Sequence, residues 1–173
     1  MNHDSPNSQD AIQILSEVRT VLLIDWPHTG VPRALLESGF QVVGYSPDRY
    51  SNAELVSERP ADEIATVYSP LDSSEKNFLV FRKRDSPPDQ VDAVVVYRPA
   101  EEIPAIITKH VLPLHARVLW LQPPIDSGDA QLLAAQHRLH FVQGVDIATT
   151  ARLAKREFKS APPGSTPASG TNR

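Results

Sequence analysis

The chain has 173 residues, of which 40% are hydrophobic and 22% charged, and this composition fits one soluble domain with short tails. The formal net charge of −4 argues against a nucleic-acid partner, and the absence of cysteine excludes disulfides, thiolate nucleophiles and cysteine metal sites. The apolar runs are too short to cross a membrane, and residues 1–10 lack the apolar core of a signal peptide. We therefore expect a cytoplasmic protein with no membrane partner.

Both ends of the chain are polar. Residues 1–9 are predicted to be a disordered leader and residues 160–173 a disordered tail, which leaves one domain over residues 10–159. The tail, SAPPGSTPASGTNR, has no bulky apolar side chain and cannot offset the entropy cost of ordering. Deleting it is expected to leave the melting temperature unchanged.

Short β-branched runs alternate with helical patterns along the domain. Helices are predicted over Asp10–Val18, Val31–Ser38, Glu101–His110, Ser127–His137 and Ala148–Phe158, with a helical turn over Ala53–Ser57. Strands are predicted over Thr20–Ile24, Gln41–Tyr45, Phe78–Phe81, Asp92–Tyr97, Arg117–Leu121 and Leu139–Val142. Strands that are apolar on both faces, each followed by a helix, predict a parallel sheet covered on both sides. The expected fold is a single-domain, three-layer, Rossmann-like doubly wound α/β sheet of five or six strands.

Ligands of such folds bind beyond the carboxyl ends of the strands, where the strand order reverses. Polar, aromatic and proline residues follow four of the five clearest strands and form the candidate binding rim. These residues are Asp25, Trp26, His28, Thr29, Gly30, Tyr45, Ser46, Pro47, Tyr97, Arg98, Gln122 and Pro123. The alternative is that the prolines simply end strands and start helices.

The loop after the first strand lacks the G-x-G-x-x-G pattern of dinucleotide enzymes. Thr29 and Gly30 begin a helix whose free N–H groups could receive an anion, or Thr29 is only an N-cap. Asp25 is unsuited to a phosphate and is expected to accept from a ribose hydroxyl or to cap the next turn. Trp26 could stack on a purine, but we favour its packing as a hydrophobic lid.

The segment from Val91 to Ile147 resembles the small stand-alone CoA-binding proteins, the bacterial CoA-binding-domain family. The matching positions are Val91, Asp92, Tyr97, Arg98, Glu102, Pro104, Ala116, Arg117, Trp120, Leu121 and Gln122. The earlier run GVPRALLESGFQVVGYSP also looks like this family, and the resemblance covers about residues 20–150. It departs from the family pattern at Ser46-Pro47, at Pro123-Pro124 and in a longer segment over residues 48–90.

The resemblance implies a Rossmann-like fold, a CoA-type nucleotide as ligand and no established catalysis. The same module occurs in the α subunits of succinyl-CoA synthetases, where a separate domain carries the phosphorylated histidine. Arg98 matches the family's arginine and is our candidate for the main anion contact; the alternative is a salt bridge to Glu101 or Glu102.

No set of residues predicts a catalytic or metal site. His110, His115, His137 and His140 are interpreted as surface or capping residues, and His28 has only Asp25 as a nearby partner for a general base. The run Arg82-Lys83-Arg84 is interpreted as a solvated turn, or as a contact to a 3′-phosphate.

The sequence is compatible with three functions. The first is non-catalytic binding of CoA or a related adenine nucleotide. The second is a degenerate Rossmann module that acts through protein contact, with its pocket filled by Trp26 and Tyr97. An NAD(P)-dependent enzyme is third, because the glycine pattern and a substrate domain are missing. The identity of any protein partner, including a second copy of the chain in a homodimer, stays open.

Overall fold

A computed structural model of the chain describes residues 8–61 and 64–160, with the side chains of residues 156–160 left undescribed. Its strands are β1 (Thr20–Ile24), β2 (Gln41–Tyr45), β3 (Tyr50–Val56), β4 (Thr66–Tyr68), β5 (Phe78–Lys83), β6 (Ala93–Val96), β7 (Val118–Leu121) and β8 (His140–Gln143). Its helices are α1 (Ser8–Ser16), α2 (Gly30–Glu37), α3 (Ile103–Ile106), α4 (Gly128–Gln136) and α5 (Ile147–Ser160). All of these strands join one sheet in the order β4-β5-β3-β2-β1-β6-β7-β8.

Five strands form the parallel half of the sheet. β1 pairs in parallel with β2 and β6, and the ladder continues through β7 to β8. β6 and β7 are buried at every residue, as expected for strands covered on both faces. The predicted Rossmann-like doubly wound architecture is confirmed in this half.

Three strands form an antiparallel half. The sequence predicted a strand over Phe78–Phe81, within β5, but neither β3 and β4 nor the antiparallel pairing. β3 pairs antiparallel with β2 and with β5, and β5 pairs antiparallel with the short edge strand β4. The sheet is therefore mixed and has eight strands rather than five or six. The predicted helical turn over Ala53–Ser57 is wrong, because these residues fall mostly in β3, whose backbone is paired on both sides.

Helices cover both faces of the parallel half and make the three expected layers. On one face, Leu15 of α1, Leu35 of α2 and Ile147 of α5 pack against Val21 and Leu23 of β1. On the other face, α3 and α4 pack against Leu22 and Ile24 of β1. The alternation of side chains along each strand therefore supplies two separate cores.

The segment that contains α3 is a composite helix. A 3-10 turn over Ala100–Glu102 precedes α3, and a π-helical turn over Ile107–Val111 follows it. Ile103, Ile107 and Val111 form its buried face. The predicted helix over Glu101–His110 is thus present, and its pitch changes from a 3-10 turn through α3 to a π-helical turn.

The ends of the described chain are helical. Ser8 and Gln9 belong to α1, and Ser160 ends α5. The rest of the predicted leader and tail lies outside the described residues, so its predicted disorder stays a prediction. Among the described helices, none combines the length and the apolar character needed to span a bilayer.

Candidate functional site

The strand order reverses at β1, in the parallel half of the sheet. The carboxyl ends of β1, β2 and β6 therefore lie side by side at the reversal point. β1 continues to β2 on one side, whereas β6, on the other side of β1, continues to β7 and β8. Open α/β sheets bind ligands in the crevice at such a point. A cavity of about 390 Å³, here named the α3 cavity, opens there beside α3. It is lined by Ile24, Asp25, Tyr45, Ser46, Pro47, Arg98, Glu102, Ala105, Ile106, Lys109 and His110.

Asp25 fixes the turn that leaves β1. Its φ is +66°, in the left-handed region, where aspartate is tolerated better than most residues with a side chain. Its Oδ1 accepts from the backbone N–H of Trp26 at 2.9 Å and lies 3.4 Å from the Oγ of Ser46, which donates to it. This carboxylate therefore caps its own turn and ties the first loop to the end of β2.

Arg98 lies between two carboxylates. Its Nε and one terminal nitrogen donate to the two oxygens of Glu102 at 2.9 and 2.7 Å. The other terminal nitrogen donates to Asp25 Oδ2 at 3.3 Å. Hydrogen bonding and charge attraction from Arg98 hold the pKa of Glu102 below its usual range. The predicted salt-bridge alternative for Arg98 is therefore present, on Glu102.

An aromatic cluster forms the opposite wall of the α3 cavity. Tyr45 packs at 4.8 Å from the ring of Tyr50 and 4.3 Å from the ring of His110. The Tyr50 hydroxyl lies 2.5 Å from His110 Nδ1. Lys109 covers this cluster, with its Nζ 2.7 Å from the Tyr45 hydroxyl and 4.9 Å from the centre of the Tyr45 ring.

Burial favours the uncharged forms of His110 and Tyr50 in this cluster. Desolvation, together with the neighbouring Lys109, lowers the pKa of His110 to about 4. Desolvation, together with Tyr45, raises the pKa of Tyr50 to about 12. Across the neutral pH range a protonated tyrosine is therefore hydrogen-bonded to a neutral imidazole. His110 is only 2% exposed, so its interpretation as a surface or capping residue is wrong.

The first loop closes the other side of the strand ends. The Trp26 ring stacks on Phe81 of β5, with 4.4 Å between ring centres and 7° between planes. It also covers Gly44, where an added Cβ would lie 2.6 Å from two carbons of the indole. Trp26 therefore packs as a hydrophobic lid, with its face engaged by Phe81. A second depression of about 500 Å³, the β5 groove, lies beyond it and shares Asp25, Ser46 and Pro47 with the α3 cavity.

The remaining candidates of the first loop do not line the α3 cavity. His28 is exposed, and Thr29 makes no side-chain bond to the start of α2. Thr29 thus lies at the helix start without capping it through its hydroxyl. Gly30 is the first residue of α2 and is also outside the cavity lining.

Tyr97 and Gln122 join a different network. Gln122 is 2% exposed; its Nε2 donates to the Tyr97 hydroxyl at 2.7 Å and to Asp146 at 2.8 Å. Its Oε1 accepts from the N–H of Ile147 at 2.8 Å. Burial raises the pKa of Tyr97 to about 12. These two residues fasten the start of α5 to the strand ends, while Pro123 is exposed beside them.

The structure thus assembles five of the twelve candidates around one cavity: Asp25, Tyr45, Ser46, Pro47 and Arg98. It adds Glu102, Lys109 and His110, which sequence reasoning did not select as binding residues. The charges of Asp25 and Glu102 balance those of Arg98 and Lys109. Within residues 8–61 and 64–160, no group of three or more histidine and carboxylate side chains is arranged to hold a metal ion.

The basic run Arg82-Lys83-Arg84 is part of β5 and the residue that follows it, not a free turn. Arg82 pairs with Glu54 at 2.6 Å, and Arg84 donates to Asn52 at 2.9 Å. Lys83 lines the β5 groove. None of the three lines the α3 cavity.

The sequence matches the family model of the CoA-binding domain over residues 29–147, more than half of the chain. The chain belongs to the CoA-binding domain family. The match begins at Thr29, so Asp25, Trp26 and His28 precede the matched residues of this CoA-binding domain, whereas Tyr45, Ser46, Arg98 and Lys109 lie within them. No curated protein matches the chain.

Solved structures of similar fold are small proteins. Prb, the PH1109 protein redesigned for binding, is 17% identical with a TM-score of 0.60, over 88% of this chain and 95% of that one. Cell-free ID.343 from Thermus thermophilus is 17% identical with a TM-score of 0.55, over 86% and 99% of the two chains. A hypothetical protein from Pyrococcus horikoshii OT3 is 16% identical with a TM-score of 0.55, over 89% and 99%. At these identities the likeness supports the fold alone.

Proposed function

We propose that this CoA-binding domain binds CoA or a related adenine nucleotide in the α3 cavity and catalyses no reaction on it. The observation that carries this proposal is the position of the cavity, in the crevice where the strand order reverses. The family match covers most of the cavity lining, from Tyr45 to His110. The first loop, with Asp25 and no glycine pattern, disfavours a dinucleotide such as NAD.

The pairing of the titratable groups supports a binding role without catalysis. Asp25 and Glu102 are engaged by Arg98, and His110 is hydrogen-bonded to Tyr50. A general base at neutral pH needs a pKa near 7 and access to the substrate proton. With its pKa lowered to about 4 and only 2% of its surface exposed, His110 meets neither requirement.

A second candidate function is contact with another protein. The observation that favours it is the exposure of two large apolar side chains on the segment between β3 and β5, Ile64 at 83% and Leu71 at 74%. In this alternative, Trp26 closes one side of the strand ends by packing against Phe81. Tyr97 is engaged with Gln122 and does not fill the α3 cavity, which is open.

Ligand-dependent stabilisation separates the two functions. At a hundredfold excess over the dissociation constant, a bound ligand stabilises the native state by about 2.7 kcal/mol, which raises the melting temperature by roughly 5–10 °C in a domain of this size. CoA is expected to give this shift and NAD a smaller one. Mass spectrometry of small molecules released from the purified native protein identifies a ligand that is retained.

Equal shifts with CoA, ADP and NAD would mean that only the adenosine-phosphate unit is recognised. No shift with any of them at millimolar concentration, together with no released nucleotide, would contradict nucleotide binding and favour the protein-contact function. Pro123→Ala is the control for a substitution at a strand end outside the proposed site, because Pro123 is exposed and does not line the α3 cavity. Its shift with CoA should equal that of the unmodified protein.

A further inference from the structure

We propose that Lys109 and the Tyr45 hydroxyl form the phosphate-binding subsite of the α3 cavity, and that Arg98 is the internal counter-ion of Asp25 and Glu102. The assignment of a nucleotide to this cavity rests on the proposed function. The recognition of a phosphate group by Lys109 rests on the contacts of the cavity wall and is tested separately below.

Arg98 is already paired with two carboxylates. Its Nε and both terminal nitrogens already donate to carboxylate oxygens, two of them in a bidentate pair with Glu102. Two carboxylates face this one guanidinium, so the group carries a net negative charge. A phosphate that approached Arg98 would have to displace Glu102 or lie beside two like charges.

Lys109 is in the opposite situation. Among residues 8–61 and 64–160 it has no carboxylate partner, and its Nζ donates to the Tyr45 hydroxyl at 2.7 Å. An ammonium group has three donors, so two remain for a ligand. Because the Tyr45 oxygen accepts from Lys109, its own O–H proton points away from the ammonium and can be donated to a ligand. A single charged ammonium and a hydroxyl donor thus lie side by side at the cavity wall.

The scaffold around these two groups holds them in place without adding charge. Tyr45 packs against the rings of Tyr50 and His110, and these two are joined by a 2.5 Å hydrogen bond between the Tyr50 hydroxyl and Nδ1. The π-helical turn over Ile107–Val111 carries both Lys109 and His110. His110 is buried within this turn, while Lys109 is exposed above the Tyr45 ring.

This chemistry fits a phosphate group. A lysine ammonium is a compact point charge that binds a phosphate oxygen. In a CoA-type ligand, a phosphate is present both as the 3′-monoester and as the diphosphate. The two sources are distinguished by ligands that carry one without the other.

The test compares three variants by isothermal titration. Lys109→Gln removes the proposed phosphate contact. The double variant Arg98→Gln/Glu102→Gln removes the guanidinium while leaving the net charge of the cavity unchanged. Lys76→Gln is the control, since it removes the same charge from an exposed lysine outside the α3 cavity. Circular dichroism and melting curves establish that each variant is folded.

Loss of one charge-assisted contact should raise the Kd for CoA about tenfold or more in Lys109→Gln. The double variant should lose less CoA affinity than Lys109→Gln, and Lys76→Gln should be unchanged. Binding of adenosine should not depend on Lys109. If Lys109→Gln does not raise the Kd for 3′-dephospho-CoA, the subsite binds the 3′-monoester of CoA. If the Kd still rises, the subsite binds the diphosphate.

The opposite pattern, with CoA affinity lost in the double variant and retained in Lys109→Gln, would overturn the subsite while leaving nucleotide binding intact. If the unmodified protein binds no nucleotide, the subsite is tested with inorganic pyrophosphate by ³¹P NMR. Binding that disappears in Lys109→Gln supports it even though the proposed function has failed. No pyrophosphate binding, or binding unaffected by Lys109→Gln, overturns it.

Discussion

The parallel and antiparallel halves of the sheet differ in how their strands are buried. β6 and β7, in the parallel half, are buried at every residue, whereas β3, in the antiparallel half, is partly exposed along nearly its whole length. The parallel half is covered by helices on both faces. The antiparallel half extends the sheet beyond β2. It contacts the first loop through Phe81 and the π-helical turn after α3 through Tyr50.

This difference decides which side of the strand ends is open. Phe81 of the antiparallel half stacks on Trp26 and closes the side above Gly44. Tyr50, at the start of β3, instead supports His110 and Tyr45 at the wall of the α3 cavity. The added strands therefore close one side of the strand ends and support the wall of the other.

The largest expected effect is at Arg33, which connects α2 to the antiparallel half. Its side chain is buried and donates to the carbonyl oxygens of Asn77, Tyr68 and Ser69 at 2.7–3.2 Å, and its Nε lies 3.3 Å from Glu75. Arg33→Met leaves these acceptors without their donor. We expect a loss of about 3–5 kcal/mol of unfolding free energy in urea denaturation.

The matched control is Arg49→Met. Arg49 is exposed and pairs with its neighbour Asp48, so its removal should change the unfolding free energy by less than about 0.5 kcal/mol. Limited proteolysis of Arg33→Met should also cut earlier after Lys76. Equal stability of the two variants would show that α2 does not hold the antiparallel half in place.

A methyl group at Gly44 tests the closed side. The added Cβ of Gly44→Ala would lie 2.6 Å from Trp26 and 3.0 Å from Phe81, so the stacked pair has to move. Overpacking of this kind is expected to cost about 2–3 kcal/mol. Gly128→Ala, where nothing lies within 4 Å of the new methyl, should be neutral or slightly stabilising. A harmless Gly44→Ala would mean that Trp26 is not held against β2.

The pH dependence of stability tests the link between His110 and Tyr50. The pKa of His110 is lowered to about 4 in the folded protein, below its unfolded value of about 6.5. Between these values the unfolded chain binds a proton that the native state does not, so acid favours unfolding. Stability should be full above about pH 7 and fall by about 2 kcal/mol by pH 5.

The variant His110→Gln removes this titration but keeps a hydrogen-bonding group beside the Tyr50 hydroxyl. The groups facing His110 are Tyr45, Tyr50 and Lys109. The slope of stability against pH in this window should therefore be smaller in the variant. An unchanged slope would place the acid sensitivity elsewhere in the chain.

The sequence predicts the parallel half well because burial on both faces leaves a visible apolar run in each strand. The same criterion misses β3, whose sequence YSNAELV has no such run and whose structure depends on ladder bonds to β2 and β5. β4 is only three residues long and forms at the sheet edge through pairing with β5. Contacts between distant segments, rather than local preference, create these strands.

The candidate site shows a similar division. Arg98 and its alternative partner Glu102 are four residues apart and were found from the sequence. Lys109 was not selected, because its neighbour Tyr45 is 64 positions away. His110 could have been recognised as buried, since it continues the apolar face of Ile103 and Ile107 at helical spacing.

Hydrogen exchange measured by mass spectrometry, with and without CoA, tests the central claim most directly. The claim is that the nucleotide lies on the open side of the strand ends, in the α3 cavity. We expect CoA to slow exchange in peptides covering residues 98–111 and 45–49, and to leave residues 64–68 and 79–83 unchanged. Protection of residues 64–68 and 79–83 without protection of 98–111 would place the ligand in the β5 groove and contradict the claim.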